Sequence, residues 1–520
     1  MKQKLFNIHK LIGINVLLLF FISLFFGILT IFQPFVNLWE DPKQHITTAN
    51  VSDINLDKCI RQVTKRTYFG EDGKKIRNDI VRMTFPIIEL RATNLIRVDN
   101  RPNLFLEPQT CKRVRPNNFT ISQLFQDIHT GLIFKSLLVK IIFGFMSVAV
   151  VFLCLSGLYL IIKNNYKNTK TKTAAGFFAK YHRLLLLYTF PLVFMFGLTG
   201  ALFNLGVYST PLITHYLTNG ETINVMKVEK NILFTPPLET PIPSEKTKTI
   251  SLNELYEKAQ KEFDDIVIYS MHVYNHKDIN ARVKFIGYEP HNYFISSMTN
   301  KSYIVLDGVS GEILDKKSAD QGSFTEKTLD AIFYLHYIRT FENLPRLIFG
   351  IIAILIFAGT VFSMNLWLER ANKDKFTFKV LKPLSLTIAL GSLVSASSLF
   401  AITWIIPKAY SSFTLFDELY FTHEFIFYIT YLLVFIYIFI KKDSYKTIQN
   451  CFYFSSLLLL IAFISHNIFS EYTVMSTFTS GMYEIFIMDV LLIIGSLLLF
   501  VVAKKLSRKY KKTRVQLLEK

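Results

Sequence analysis

The chain has 520 residues, of which 51% are hydrophobic and 19% charged, with 49 phenylalanines and a formal net charge of +19. So apolar a composition excludes a soluble globular protein of this length. The lysine and arginine excess is confined to short segments between apolar runs, so it reads as a membrane-topology signal rather than as a nucleic-acid surface.

In chain order, a short basic lead, 1–10, precedes a first predicted span at about 11–32. That run is too long for a signal-peptide core, and QPFVNLWED offers no small-residue cleavage site, so a retained anchor is expected. A polar insert of domain size, 33–135, follows, and then a second span at about 136–162. The next segment, NNYKNTKTKTAAGFFAKYHR, holds five Lys/Arg and no acid. The positive-inside rule therefore places it in the cytoplasm and the insert outside. A third span at about 184–207, kinked by Pro191, leads to a second exterior insert, 208–344, and a fourth span ends near Arg370. Four more spans are expected near 384–406, 421–440, 451–469 and 485–502. Their connections agree in sign: KKDSYKTIQ and the tail KKLSRKYKKTRVQLLEK are basic, whereas PKAYSSFTLFDELY and NIFSEYTVMSTFTSG share one lysine. The expected fold class is thus a predominantly α-helical polytopic membrane protein of about eight spans, with N- and C-termini cytoplasmic and both inserts exterior.

The first four spans repeat. IHTGLIFKSLLVKIIFGFMSVAVVFLCLSGLYLIIKN, laid beside LHYIRTFENLPRLIFGIIAILIFAGTVFSMNLWLER without gaps, sets His129 on His336 and Ser156 on Ser363. HKLIGINVLLLFFISLFFGILTIF laid on HRLLLLYTFPLVFMFGLTGALFNL sets His9 on His182 and Gly27 on Gly200. Two span–insert–span units result, 1–163 and 164–370, with a four-helix extension at 371–520. In the first insert, Cys59 and Cys111 share a compartment whose redox poise would permit a disulfide, while Cys154 and Cys451 fall in spans.

The second insert is an α+β module. SLNELYEKAQKEF carries Ser251 and Glu254 at capping-box spacing and apolar residues at helical period. Alternating runs at 265–274, 280–288, 292–299 and 302–306 predict strands, and VLDGVSGEILDKK closes a hairpin.

These residues resemble the PepSY-associated transmembrane family: the helix, strands and turn look like a PepSY module, LHYIRTF…LPRLIFG like the helix that follows it, and HRLLLLYTFPLVFMFGLTGAL like the one before. In the first insert NLFLEPQTCKRV can be set against YIVLDGVSGEIL as a degenerate partner, with Cys111 where the later copy has Gly311. The resemblance covers roughly 1–370. It implies a bacterial inner-membrane location with periplasmic inserts, and its nearest members are haem-b reductases of ferric siderophores.

The histidine placement argues that chemistry separately. A haem iron with two protein ligands takes imidazoles from opposite faces, which facing helices supply. His9 and His182 begin spans at the cytoplasmic face, and His129 and His336 precede spans at the exterior face, so each equivalent pair is expected to hold one haem b. Lys10, Arg183, Arg339 and Arg346 adjoin them as expected propionate partners, although Lys and Arg also mark membrane boundaries routinely. His423 and His466, near exterior ends of the extension, are open to two readings, an additional haem or metal site or helix contacts with Glu424 or Asn467. His45, His215, His272, His276 and His291 share no spacing and are expected to be structural.

No GxGxxG follows a strand, and there is no phosphate loop, nucleophile elbow or HExxH. Electrons are therefore expected from membrane quinol or a separate cytoplasmic reductase, with a ferric siderophore or other ferric chelate as substrate. The alternative is a non-enzymatic PepSY-domain regulator that inhibits a periplasmic protease, for which paired histidines have no use.

Overall fold

The computed structural model describes residues 2–47, 50–70, 73–87, 92–101, 104–115, 121–132, 136–164, 173–223, 241–263, 265–338, 343–406, 419–441 and 444–518. Helix α1 is Lys2–Ile31, α2 Gln33–Trp39 and α3 Leu56–Thr64, followed by strands β1 (Val81–Thr84), β2 (Ile96–Val98), β3 (Phe105–Leu106) and β4 (Arg113–Val114). Helices α4 (Ile121–Thr130), α5 (Leu137–Asn164), α6 (Ala174–Tyr188) and α7 (Phe190–Leu217) come next. Helix α8 (Leu252–Glu262) then leads to β5 (Val267–Tyr274), β6 (Arg282–Tyr288), β7 (Ser302–Asp307) and β8 (Ile313–Lys317). The chain closes with α9 (Phe324–Tyr337), α10 (Asn343–Arg370), α11 (Phe376–Thr403), α12 (Leu419–Ile440), α13 (Ser444–Phe469), α14 (Val474–Thr479) and α15 (Tyr483–Leu518).

Among the described residues seven helices are long and apolar enough to cross a membrane: α1, α5, α10, α11, α12, α13 and α15. The eighth expected span is two helices, α6 and α7, bent by 73°. The break falls at Thr189, whose N–H and Oγ1 both donate to the Leu185 carbonyl, at 3.1 and 2.9 Å. Pro191 explains it: proline has no N–H and its ring collides with the carbonyl four residues back, whereas the first turn of a new helix accepts it. The chain is therefore a polytopic membrane protein with seven spans, or eight if the bent pair counts as one.

The chain divides into a helical unit (Met1–Val36, Asn118–Val207 and Leu344–Lys520) and a sheet unit (Asn37–Asn117 and Tyr208–Asn343). In the helical unit, Phe20 and Leu24 of α1, Val150 of α5, Leu186 of α6, Val193 of α7 and Ile356 of α10 form one apolar cluster, so the four repeat-derived elements share a core. Helix α4, inside the expected insert 33–135, belongs to this unit because it lies on α1 and the start of α2: Phe26 meets Phe125 at 5.7 Å, and Gln33 Nε2 donates to Gln126 Oε1 at 3.1 Å. In the extension, α11 is the most buried span and carries small residues toward its neighbours. At Gly391 an added Cβ would stand 2.9 Å from the Tyr431 ring. Helices α13 and α15 are cross-linked by reciprocal bonds, Ser456 Oγ to Ser496 O and Ser496 Oγ to Ser456 O, both 2.8 Å.

In the sheet unit the two inserts make one eight-stranded antiparallel sheet, ordered β4-β3-β2-β1-β5-β6-β7-β8. It is two helix-plus-meander halves joined where Val81 to Thr84 of β1 pair with Val273 to Ser270 of β5. Helices α3 and α8 cover one face, burying Leu56, Ile60, Leu252 and Leu255 against Met83, Val98, Met271 and Phe285. The two terminal hairpins have the same turn. Cys111 N–H donates to Glu107 O at 2.8 Å and Gly311 N–H to Asp307 O at 3.0 Å, and both residues are left-handed, with φ of 55° and 72°. A degenerate sequence thus keeps the turn even where a non-glycine residue must adopt αL.

Two local expectations change. Ser251 caps nothing with its own side chain; its Oγ donates to Asp57 Oδ2 at 2.5 Å, while Asp57 Oδ1 accepts the Leu252 N–H at 3.1 Å, so the first half caps the helix of the second. Residues 292–299, expected as a strand, contain a 3₁₀ segment, Pro290–Ile295. The N–H groups of Met298, Thr299 and Asn300 point at the Asp330 carboxylate (2.8, 2.7 and 3.2 Å) and so cannot join a ladder.

Cys59 of α3 and Cys111 of the β3–β4 turn are joined by a disulfide closing 52 residues of sequence. A loop of that length is stabilised by about 4 kcal/mol on chain-entropy grounds. Cys59→Ala/Cys111→Ala is therefore expected to lower the denaturant midpoint of the sheet unit and leave the helical unit's transition in place. A sheet transition unmoved by the double substitution refutes that assignment.

Candidate functional site

Three of the four repeat histidines lie in the helical unit. His9 is on α1 and its Nδ1 stands 2.8 Å from Ser156 Oγ on α5. Ser156 Oγ donates its own proton to the Phe152 carbonyl at 2.7 Å, so toward His9 it is an acceptor and Nδ1 carries the proton. His182, on α6 about two turns before the bend, has Nδ1 3.4 Å from the Gly359 carbonyl of α10 and donates to it. In the register that sets His129 on His336, Phe152 falls on Gly359. His9 and His182 therefore address the same turn of their partner spans, one through a serine and one directly.

His129 is in the last turn of α4, with Nδ1 2.8 Å from the Ser23 carbonyl of α1. A carbonyl only accepts, so this Nδ1 also carries the proton. Gly27 makes room for it: a Cβ there would sit 3.0 Å from both Cε1 and Nδ1 of the imidazole. His336 occupies the matching position in α9, two residues before left-handed Ile338 (φ 49°), as His129 is two before left-handed Gly131 (φ 78°). It belongs to the sheet unit, where its ring meets Tyr337 edge-on at 5.4 Å. Helix α9 is held firmly beneath it. Ser323 and Glu326 form a capping box, Glu326 pairs with buried Lys317 at 3.1 Å, and Asp330 takes the three N–H groups above plus the Thr299 hydroxyl.

In each of these three contacts Nδ1 is the protonated nitrogen, which leaves the lone pair on Nε2. A metal-ligating histidine is oriented in this manner, with the other ring nitrogen donating to a carbonyl, hydroxyl or carboxylate. His466 in α13 shows a fourth instance. Its Nδ1 is 2.9 Å from Asp489 Oδ1 of α15, both side chains are fully buried, and Trp404 lies edge-on at 4.9 Å. His423 of α12 is also fully buried. The sequence reading offered Asn467 as a partner for His466; Asn467 instead accepts from Val474 N–H at 2.7 Å, and Asp489 takes the histidine. Asp489 was overlooked, and its signal was a lone acid within an apolar helix. Ser23 and Gly359 act through backbone carbonyls, which leave no mark in sequence.

Of the basic neighbours, Lys10 is exposed and Arg183 half-buried. Arg346 is buried, with Nη1 donating to the Ile31 carbonyl at 2.7 Å and the guanidinium over Phe35 at 5.9 Å, so it caps the C-terminus of α1. Arg339 lies outside the described residues. Among the described residues no three His, Cys, Asp or Glu side chains converge as for a bare metal ion. A bis-histidine haem needs only two.

Comparison with known proteins places residues 6–370 in a match to the family described as PepSY-associated TM region. No curated protein matches the chain.

Proposed function

The chain belongs to the PepSY-associated TM family, and from that premise we propose that it is an inner-membrane oxidoreductase carrying haem b, which passes electrons to a periplasmic ferric siderophore or other ferric chelate. The observation that carries the reading is the common state of three half-buried histidines: Nδ1 protonated and held from another helix, lone pair on Nε2. An anchor for a regulatory module has no need of that arrangement.

His9 and His182 fit one haem at the cytoplasmic side, with Ser156 and the Gly359 carbonyl fixing their ring planes. A second haem, at the periplasmic side, rests on the sequence equivalence of His129 and His336 alone, since the two histidines belong to different units. A haem beyond that pair, were the count to give one, would fall to His466, oriented by Asp489, with His423. Haem b bound by these residues would supply a one-electron carrier. Lys10 and Arg183 would meet propionates at the inner face, and Gly27 keeps the His129 ring against α1. Electrons would arrive from quinol or a cytoplasmic reductase, and both termini would lie in the cytoplasm. Reduction would release the iron because hard oxygen donors favour ferric over ferrous ions.

The test is the visible spectrum of the detergent-purified protein, oxidised and dithionite-reduced, with a pyridine haemochrome count. Low-spin b-type bands with a pair of haems per chain are expected. A colourless protein from haem-replete cells would transfer the reading to the protease regulator.

A further inference from the structure

The face of the sheet turned away from α3 and α8 carries a basic row that the electron route does not use. The pairing register aligns Arg82 of β1, His272 of β5 and Lys284 of β6 side by side. Arg82 is exposed, and His272 and Lys284 are half-buried. Aromatic rings lie beneath the cations: Lys284 Nζ stands 3.4 Å from the Tyr303 centroid, and Lys301 Nζ 4.2 Å from that of Tyr269. The acids nearby are committed. Asp99 pairs with Arg97 at 2.5 Å and accepts from Thr84, and Asp315 accepts the Tyr303 hydroxyl at 3.0 Å. Toward β8 the face is closed where Lys317 meets Glu326.

Strands lie about 4.8 Å apart, so Arg82 and Lys284, two strands apart, bracket about 10 Å. That is the width of one octahedral iron complex with three bidentate aromatic ligands. Burial pushes the Lys284 ammonium down to about 8, with Asp315 opposing and Lys317 adding to the shift. Burial likewise pushes His272 down to about 4. The row therefore presents Arg82 and a poorly solvated ammonium, flanked by a neutral imidazole and tyrosine rings. An anion restores to Lys284 the stabilisation that burial removes.

We propose that this face of the sheet docks a ferric tris-catecholate, a trianionic aromatic chelate, in preference to a neutral ferric trihydroxamate. This names the substrate class of the reading above and rests on it for its physiological meaning. Charge complementarity selects the anion, and the tyrosines select one with π-faces. A simple phosphate would satisfy the cations and leave the rings unused.

The test is equilibrium binding to the full chain in detergent, without reductant, by fluorescence quenching with iron(III) tris-catecholate and with a ferric trihydroxamate. The catecholate is expected to bind at least about tenfold more tightly, the value of one charge-assisted contact. Lys284→Gln and Arg82→Gln should each weaken it by about tenfold with an unchanged melting profile. Equal binding of the two chelates, displacement by equimolar inorganic phosphate, or affinity indifferent to both substitutions overturns the proposal. Because no electron is transferred, the outcome is independent of haem content: a colourless protein that binds catecholate keeps the docking face and loses the electron route.

Discussion

His182→Ala is expected to remove one haem per chain and bring ferric-chelate reduction to background, while the far-UV spectrum and the sheet unit's melting stay unchanged. The imidazole is held by a backbone carbonyl, so its loss deletes a ligand without leaving an orphaned side-chain partner. Ser156→Ala provides the graded control. It keeps His9 but removes its acceptor, and loss of such an orienting contact costs about 10- to 100-fold in metal affinity. Haem should then be present after purification and lost on dilution or with a scavenger. Full haem content and reduction in His182→Ala would refute the inner site, and unaltered retention in Ser156→Ala would refute the orienting role.

Asp330→Ala is expected to destabilise the sheet unit by about 3 kcal/mol or more, because three N–H groups lose one buried acceptor together. Those groups belong to Met298, Thr299 and Asn300, and the carboxylate sits on α9 six residues before His336. The same change should therefore loosen the helix that carries the outer histidine. Hydrogen exchange should rise at 298–300 and along α9, with Asp330→Asn intermediate since it retains one acceptor oxygen. Exchange at 298–300 that matches wild type in Asp330→Ala would refute the anchoring role.

How much was legible in the sequence varied with the range of the interaction concerned. Spans were legible because bilayer burial acts on composition, residue by residue, and α1, α5, α10 through α13 and α15 fall on apolar runs. The third span was legible at its C-terminal end but not in its start, which lies at Ala174, or in its path, since whether Pro191 kinks or breaks a helix depends on the packing around it. The 3₁₀ segment after β6 was misread because its alternating residues match a strand, while Asp330, thirty positions on, claims its N–H groups. The Ser251–Glu254 pair failed for a related reason: Asp57, from the other half, outcompetes the local cap.

The site divides along the same line. Sequence alone determined the family, the membrane-spanning character, the duplication and the four histidines at equivalent places, all properties that spacing and composition carry. Only the tertiary structure decided that the two inserts merge into one sheet through β1 and β5, that α4 belongs with the helices, and that Asp489 holds His466. It alone decided which nitrogen of each histidine bears the proton, because the deciding partners are two carbonyls, a serine already donating elsewhere and an acid on another helix. Three of these contacts join residues more than a hundred positions apart, and two pass through backbone atoms, which every sequence shares.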